Sequence, residues 1–286
     1  MQETTNAWSQ SDFNVKSTQH ASERVDWLTS TPFILMHVGA VVGLFFFPIT
    51  WSTVGLCLAS YYFRMWALTT AYHRYFSHRS FKTSRWFQFV LAFLGSTTLQ
   101  KGVLWWAAHH RDHHRFSDLP EDVHSPVQRG FFWSHVGWII VPRFQETKYD
   151  RIKDFTKYPE LVWLNNFWIV PIVTYSVAMY LLGGWNAFFW GFVLSSVVLW
   201  HGTFTVNSLA HVWGKRRFAT EDDSRNNFWI ALITMGEGWH NNHHHYQSSA
   251  RQGFYWWEID MSFYVLKGLE KLGIVWDVRV PPKHML

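Results

Sequence analysis

A chain of 286 residues has room for one or two domains. Apolar side chains make up 48% of it and aromatic ones 20%, while only 16% are charged, which is below the usual quarter and favours a membrane protein. The single cysteine, Cys57, excludes an internal disulfide. The net charge of +5 comes without a nucleic-acid-binding motif, so we assign it to membrane topology and anionic lipid headgroups.

The N-terminal segment differs in composition from the rest of the chain. Its first 31 residues are polar and of mixed charge, with no basic stretch followed by an apolar core. A cleaved signal peptide is therefore not expected. We predict that residues 1–30 form a cytosolic segment and that residues 31–286 form one domain.

Four later segments are apolar over a length that can cross a bilayer of about 30 Å, which takes about 20 helical residues. They cover residues 31–49, 53–72, 161–182 and 185–206. The first two are joined by a turn around Pro48 to Ser52 and the last two by Gly183-Gly184, which predicts two antiparallel hairpins. A shorter apolar stretch, from Trp86 to Leu99, predicts an interfacial or re-entrant helix.

The basic residues orient this topology. Every Lys and Arg except Arg64 lies outside the four spans and outside the two short turns. The positive-inside rule then places both termini and the segments 73–160 and 207–286 in the cytoplasm. The predicted fold is an all-α membrane protein with four transmembrane helices and a cytosolic helical cap, most simply in a bacterial inner membrane.

Three histidine clusters in the predicted cap carry the strongest chemical signal. They read His73-Arg-Tyr-Phe-Ser-His78, His110-Arg-Asp-His113-His114 and His240-Asn-Asn-His243-His244. On a helix, the i, i+3, i+4 spacing of the last two clusters puts their three rings on one face. Imidazole binds Fe, Zn, Cu and Ni, so the ligand type leaves the metal open. Eight imidazoles exceed what one ion uses, and two ions with four or five ligands each would account for them.

Further residues near the clusters extend the predicted site. His211 lies four residues after Asn207 on the expected extension of the fourth span, so the two would share a helix face. His211 is a ninth candidate ligand, and Asn207 a candidate that binds through water. Four acidic residues are candidates to accept the second N–H of a ligating imidazole; they are Asp112, Glu121, Asp122 and Glu237. We predict structural or surface roles for the remaining histidines, which are His20, His37, His109, His124, His135, His201, His245 and His284.

The motifs HRYFSH, HRDHH, NSLAH and GEGWHNNHH, in this order and spacing, resemble the integral-membrane acyl-CoA Δ9 desaturases of the stearoyl-CoA type. The resemblance runs from about Thr70 to Trp276 and includes flanking residues such as Gly236-Glu237-Gly238. It implies a non-haem centre of two Fe ions, with Asn207 holding one iron through water. The implied histidine ligands are His73, His78, His110, His113, His114, His211, His240, His243 and His244.

The same resemblance implies a reaction and a substrate site. The reaction is the O2-dependent insertion of a cis double bond into a saturated acyl chain, with acyl-CoA as the expected substrate. Two electrons come from an external donor, which we expect to be a ferredoxin, a rubredoxin or a cytochrome b5 with its reductase. The positions that match the bend of the acyl tunnel are Gln100, Trp106 and Thr203.

The chain departs from the family where the CoA headgroup binds. Ala108-His109 stands where an Arg-Asp pair is expected, and Pro142-Arg143 where an Arg-Lys pair is expected. Lys101 replaces an expected Asn. We predict that Lys101 and Arg143 meet substrate phosphates, and the carrier stays open among CoA, acyl carrier protein and phospholipid.

Two other functions are compatible with parts of the pattern. A fatty-acid or alkyl hydroxylase would use the same metal centre and leave an alcohol instead of an alkene. A membrane metal transporter or receptor would need polar groups along its spans. The spans offer only His37, Arg64 and His201, which makes transport the more remote alternative.

Overall fold

The computed structural model describes residues 23–286, and it confirms the predicted helical class. The α-helices are α1 (Trp27–Gly43), α2 (Trp51–Ala67), α3 (Arg85–Ser96), α4 (Val103–Phe116), α5 (Pro126–Arg129), α6 (Phe131–His135), α7 (Lys153–Thr156), α8 (Pro159–Asn166), α9 (Ile169–Phe188), α10 (Ser195–Asn207), α11 (Phe228–Ile233), α12 (His240–His245) and α13 (Met261–Lys271). Two π-helical segments cover Leu68–Ser77 and Phe189–Leu194. Short 3-10 turns cover Gly137–Ile140, Pro142–Phe144, Tyr149–Arg151, Leu209–His211 and Lys283–Met285. Strands β1 (Lys82–Thr83) and β2 (Val275–Trp276) pair antiparallel.

Two helices, α1 and α2, form in the region of the first predicted hairpin, but their ends differ from the predicted bounds. The side chain of Asp26 accepts hydrogen bonds from the first turn of α1, so the helix begins at Trp27 rather than at residue 31. Its 17 residues extend about 26 Å at 1.5 Å per residue. Thr50 and Thr53 form a reciprocal capping box that sets the start of α2. These polar caps, which hydropathy does not reveal, decide where both helices begin.

Two helices, α9 and α10, also form in the region of the second predicted hairpin. The helical run from Ile169 is broken at Gly183 and Gly184, and Gly184 adopts φ 61°, a conformation that glycine reaches without steric cost. The predicted start at residue 161 is wrong because Pro159–Asn166 forms a separate helix. Within residues 23–286, one stretch, Ile169–His211, passes the length and composition test for a membrane span, with a mean hydropathy of 1.4. It contains α9, α10 and the short helical segments between and after them.

The charged residue inside the second predicted span is fully buried and hydrogen-bonded. The Arg64 guanidinium donates to the hydroxyls of Ser195 (2.6 Å) and Ser196 (2.7 Å) and to the carbonyl of Thr97 (3.3 Å). It also lies 4.8 Å from the centre of the Tyr175 ring. A buried cation needs such partners to offset its desolvation. Arg64 therefore ties α2 to α10 and to the loop after α3.

The remaining helices pack around the end of α2 where it becomes the π-helix Leu68–Ser77. The main apolar core forms between this segment, α3, α4 and α13, with Tyr72, Phe76 and Leu104 almost fully buried. Helix α3 has 12 residues, as expected for a segment too short to span. Trp86 near its start is 73% exposed, which suits a position at the membrane surface.

Candidate metal centre

Nine histidine side chains converge into two neighbouring groups on the cap side of the helices. The first group contains His73, His78, His110, His114 and His243. The second contains His113, His211, His240 and His244. Within each group the ligand nitrogens all lie within 4.8 Å of one another. The structure thus brings together every histidine that the sequence predicts as a ligand.

The π-helix explains how His73 and His78 reach the same group. On an α-helix, residues five apart point about 140° away from each other. In this segment the backbone bonds run from residue i+5 to residue i, as in the 3.2 Å bond from the His78 N–H to the His73 carbonyl. The two rings consequently lie 4.8 Å apart. The local widening of the helix is what makes this histidine pair usable.

Helices α4 and α12 each contribute histidines to both groups. His110 and His114 of α4 enter the first group, while the intervening His113 enters the second. In α12 the pattern is reversed, because His243 joins the first group while His240 and His244 join the second. Since each helix presents its three rings on one face, two adjacent sites form across the gap between the helices.

The spacing of the ring nitrogens suits metal coordination. In the first group, Nε2 of His73 lies 3.0 Å from Nε2 of His243, and Nε2 of His78 lies 2.9 Å from Nε2 of His110. Two nitrogens bound at right angles to one ion, each about 2.05 Å from it, would be about 2.9 Å apart. In the second group, the buried Nε2 of His244 has no hydrogen-bond partner among the described residues. A metal ion would use that unpaired lone pair, so the residues fit such a group.

The protonation of three rings in the first group favours the same role. Burial and the neighbouring imidazoles hold the pKa of His78, His110 and His243 well below its usual range. A neutral imidazole offers the lone pair that a metal needs.

Four carboxylates support the ligating rings through Nδ1. Glu237 lies 2.5 Å from His73, Asp122 3.0 Å from His113, Asp118 2.8 Å from His211 and Asp222 2.6 Å from His244. A carboxylate that accepts the Nδ1–H leaves Nε2 free to bind the metal and holds the ring in place. Burial raises the pKa of Glu237, but its contacts with His73 and Arg74 outweigh this effect and lower that pKa to about 2.

The acidic residues were only partly predictable. Asp122 and Glu237 occupy the expected positions. Asp112 instead contacts Lys148 (2.6 Å) and Arg151 (2.7 Å), because it points to the far side of α4. Glu121 is exposed. The sequence analysis did not predict that Asp118 and Asp222 support ligating histidines. Asp118 follows His114 by four residues, but Asp222 lies far in sequence from the histidine clusters.

Asn207 and His211 do not share a helix, so that part of the prediction is wrong. Helix α10 ends at Asn207, and His211 closes a separate 3-10 turn. Ser208, with φ −102° and ψ −69°, interrupts the helix between them. His211 still reaches the second group, and Asn207 lines the adjoining cavities. Its role as a ligand through water stays a prediction.

The other histidines occupy several environments. His124 is buried, with its ring centre 4.4 Å from that of His113. His109 is buried and bonds through Nδ1 to the Trp105 carbonyl. His201 bonds to both His37 and His135 (3.1 and 3.0 Å), linking α1 to α10 and α6. The rest are His245, which stacks on Phe218, His284, which is exposed, and His20, which lies outside the described residues.

Two cavities meet beside the metal groups. One, of about 390 Å³, has Gln100, Trp106, His110, Thr203 and Asn207 in its wall. The other, of about 40 Å³, shares four of these residues and continues toward Met65 of α2 and Leu68 of the π-helix that follows it. The larger volume lies within the range of about 300–1,000 Å³ for small-molecule sites.

The three predicted bend residues form one hydrogen-bonded unit in the cavity wall. The Gln100 side chain donates to the Thr203 hydroxyl (3.1 Å) and accepts from the Trp106 indole (3.2 Å). Leu99 and Lys101, on either side of Gln100, have φ values of 60° and 63°, which are unfavourable for side chains with a Cβ. The backbone is held in this conformation while the amide bridges α4 and α10.

The two predicted phosphate-binding cations are separated. Lys101 lines the larger cavity, where its ammonium donates to the Gln145 side chain and burial lowers its pKa to about 8. Arg143 is not in the cavity wall and instead binds Glu23 at 2.5 Å. A shared phosphate site for these two side chains is not formed in this structure.

A helical protein whose histidines form two adjacent groups beside an apolar cavity is a candidate metalloprotein that acts on an apolar substrate. The comparison with known proteins makes this specific, because residues 49–275 match the fatty acid desaturase family. The chain belongs to that family.

Its relatives act on different acyl carriers. An sn-2 palmitoyl-lipid 9-desaturase from Nostoc sp. is 37% identical over 267 residues, covering 91% of this chain and 93% of the relative. An acyl-CoA C20 Delta5-desaturase from Anemone leveillei is 34% identical and covers 89% and 84%. A hex-5-enoyl-[acyl-carrier protein] acetylenase from Moorena producens is 34% identical and covers 95% and 92%. The similarity therefore establishes the family but leaves the carrier and the bond position open.

Proposed function

We propose that the protein is an O2-dependent acyl desaturase that holds two Fe ions in its histidine groups and inserts a cis double bond at Δ9. The observation that carries this proposal is the position of the cavities. The hydrogen-bonded unit of Gln100, Trp106 and Thr203 lies where the two cavities meet. His110 is in the wall of both cavities. An acyl chain threaded past this unit would present one methylene pair to the metal centre.

The chemistry divides between the metal and the protein. When bound, the irons supply the oxidising power for a reaction in which –CH2–CH2–, O2, two electrons and two protons become –CH=CH– and two H2O. The chain's own residues bind and orient the hydrocarbon. Trp106 and Thr203 fix the bend, and the surrounding apolar walls keep out water. The carboxylates behind the histidines keep the ligating rings oriented.

For the carrier, we favour a membrane lipid over the acyl-CoA that the sequence resemblance suggests. Among residues 23–286, Lys101 is the one Lys or Arg in the wall of the 390 Å³ cavity, and Arg143 is engaged with Glu23. The polyanionic CoA would find few cations there. Part of the cavity wall comes from Thr29 and Pro32 of α1 and from Ile169 of α9, which are all exposed on the outside of the helices. A chain already in the bilayer has a short route to such an opening.

We also retain the four-span topology in this proposal. In this topology α1 and α2 would form one hairpin and α9 and α10 the other. Val38, Val41, Leu181 and Val198 are among the apolar side chains that these helices leave exposed. An apolar outer surface of this kind suits a lipid environment. Both termini and the metal centre would then face the cytoplasm of the inner membrane.

The test is product analysis in a host that lacks its own desaturase. Expression should produce monounsaturated fatty acids, and gas chromatography with mass spectrometry after derivatisation should place the double bond at Δ9. An alcohol in place of the alkene would indicate the hydroxylase alternative. Assays with purified protein should then compare acyl-CoA, acyl carrier protein and diacyl lipid, and conversion of acyl-CoA alone would contradict the proposed lipid carrier.

A further inference from the structure

The two histidine groups differ in their exposure. All four residues of the second group are buried, whereas the residues His78, His110 and His114 of the first group are only partly buried. His110 lines both inner cavities, so electrons that come from outside the chain have their shortest access at His78 and His114. The chain has one cysteine, which is too few for an iron–sulfur cluster of its own. In the proposed reaction the electrons would come from a separate carrier that approaches the first group.

Each of these three histidines is followed directly by an arginine, namely Arg79, Arg111 and Arg115. Arg79 and Arg111 share the carboxylate of Asp154 at 3.2 and 2.8 Å. Arg115 lies one helical turn beyond Arg111 and is exposed. Cationic groups consequently follow the exposed edge of the first group.

This cationic edge continues into a surface cavity of about 590 Å³ that Arg79 shares with Lys82, Arg85 and Arg279. Lys82 and Arg85 are each more than 60% exposed. They pair with Asp277 and Glu160 at 2.7 Å. The six cations along the edge and the cavity face three carboxylates, so this surface carries a net charge of about +3.

We propose that this surface, formed by Arg79, Lys82, Arg85, Arg111, Arg115 and Arg279, is the docking site for a small acidic electron-transfer protein. The inference rests on the proposed function, because only a redox reaction needs the partner. A carrier bound here would lie beside residues that are covalently adjacent to the ligands of the first group. Surface charges of this kind increase the rate of encounter and orient the partner, while contributing little to affinity individually.

The position of the charge favours a protein partner over a membrane surface. A lipid headgroup bound at these cations would satisfy their charge but could not deliver electrons. It would also cover the exposed edge of the first group. An acidic carrier satisfies the charge and brings its redox centre to the place where the ligating rings are most accessible.

The experiment uses the full-length protein in nanodiscs of neutral lipid, with reduced [2Fe–2S] ferredoxin as the electron donor. The double variant Lys82→Glu/Arg115→Glu should lower kcat/KM for ferredoxin about tenfold, mainly through KM. The dependence of kcat/KM for ferredoxin on salt concentration should be weaker in the variant than in the wild type. When dithionite-reduced methyl viologen replaces ferredoxin, turnover should recover, since a small reductant needs no docking site.

Lys215→Glu is the matched control, because Lys215 is an exposed cation on the loop after His211 and outside the proposed surface. It should keep the wild-type kcat/KM for ferredoxin. Equal loss with ferredoxin and with viologen would mean that the double variant damages the enzyme, and an unchanged KM would place docking elsewhere; either result overturns the proposal. If the double variant loses binding to anionic vesicles but keeps binding to ferredoxin, the surface binds lipid instead and the proposal is overturned. Absence of wild-type desaturation with both donors would contradict the proposed function itself.

Discussion

Asp122→Asn should weaken metal binding in the second histidine group without removing a ligand. The carboxylate of Asp122 is buried, and both of its oxygens lie 3.0 Å from Nδ1 of His113. They also accept the backbone N–H groups of Asp118 at 2.9 Å and His124 at 3.2 Å. An asparagine has nearly the same shape but only one acceptor oxygen. Its NH2 group would therefore face one of these donors.

The size of the effect follows from this geometry. A hydrogen bond to a charged group contributes about 1.5–3 kcal/mol, and a factor of ten corresponds to about 1.4 kcal/mol. The variant should then lose about 10- to 100-fold in metal affinity, as is typical when the group behind a ligating histidine is changed. The polypeptide should still fold, because asparagine fills nearly the same volume as aspartate and the apolar contacts of the neighbouring Val123 remain.

The assay measures metal per chain by mass spectrometry of purified protein against a series of chelator concentrations, alongside turnover. Asp112→Asn provides the control, since Asp112 lies between two predicted ligands in sequence but contacts Lys148 and Arg151. It should retain wild-type metal affinity. If Asp122→Asn binds metal as tightly as the wild type, or if both variants lose metal equally, the assignment of Asp122 as support for His113 is refuted.

Three further predictions concern the site and the topology. Active protein should contain two irons per chain, and His113→Ala or His243→Ala should abolish turnover while circular dichroism still shows the helices; full turnover in either variant would remove that residue from the ligand set. Trp106→Ala should lower the rate about 10²-fold, since a 1 Å misplacement of a reacting carbon can cost that much, and should broaden the double-bond position, while Thr203→Trp should shift it; unchanged products in both, by gas chromatography, would show that these residues only pack. Reporter fusions at both chain ends and at Gln128 should all report the cytoplasm, and an external signal from any of them would break the four-span topology.

The parts of the fold that were predictable from sequence are those encoded by local periodicity or by glycine. The i, i+3, i+4 spacing in α4 and α12 correctly placed three rings on one face of each helix. The Gly183-Gly184 turn was visible because two adjacent glycines interrupt an apolar run. Helix bounds were less predictable, because the caps at Asp26 and Thr50 override hydropathy. The break between Asn207 and His211 has no comparable signal in the sequence.

The site was predictable in its ligands but less so in the residues that support them. A histidine spacing is a local pattern, whereas the pairing of Asp222 with His244 joins a loop to helix α12, and only the folded chain brings the two together. The division of the nine ligands into five and four could not be deduced either. It depends on which rings of α4 and α12 face each other after packing.

The π-helical segment after α2 shows why an irregular helix belongs at this site. An α-helix through residues 68–77 would satisfy its backbone equally well, but it would turn His73 and His78 away from each other. The wider helix gives up regular hydrogen bonding, and the cost is offset by close packing, since every residue from Leu68 to Ser77 is buried. Arg74, fully buried between Glu237 and Asp260, anchors the segment from its other side. Glu237 contacts both His73 and Arg74, so the same carboxylate that orients a ligand also stabilises the helix that carries it.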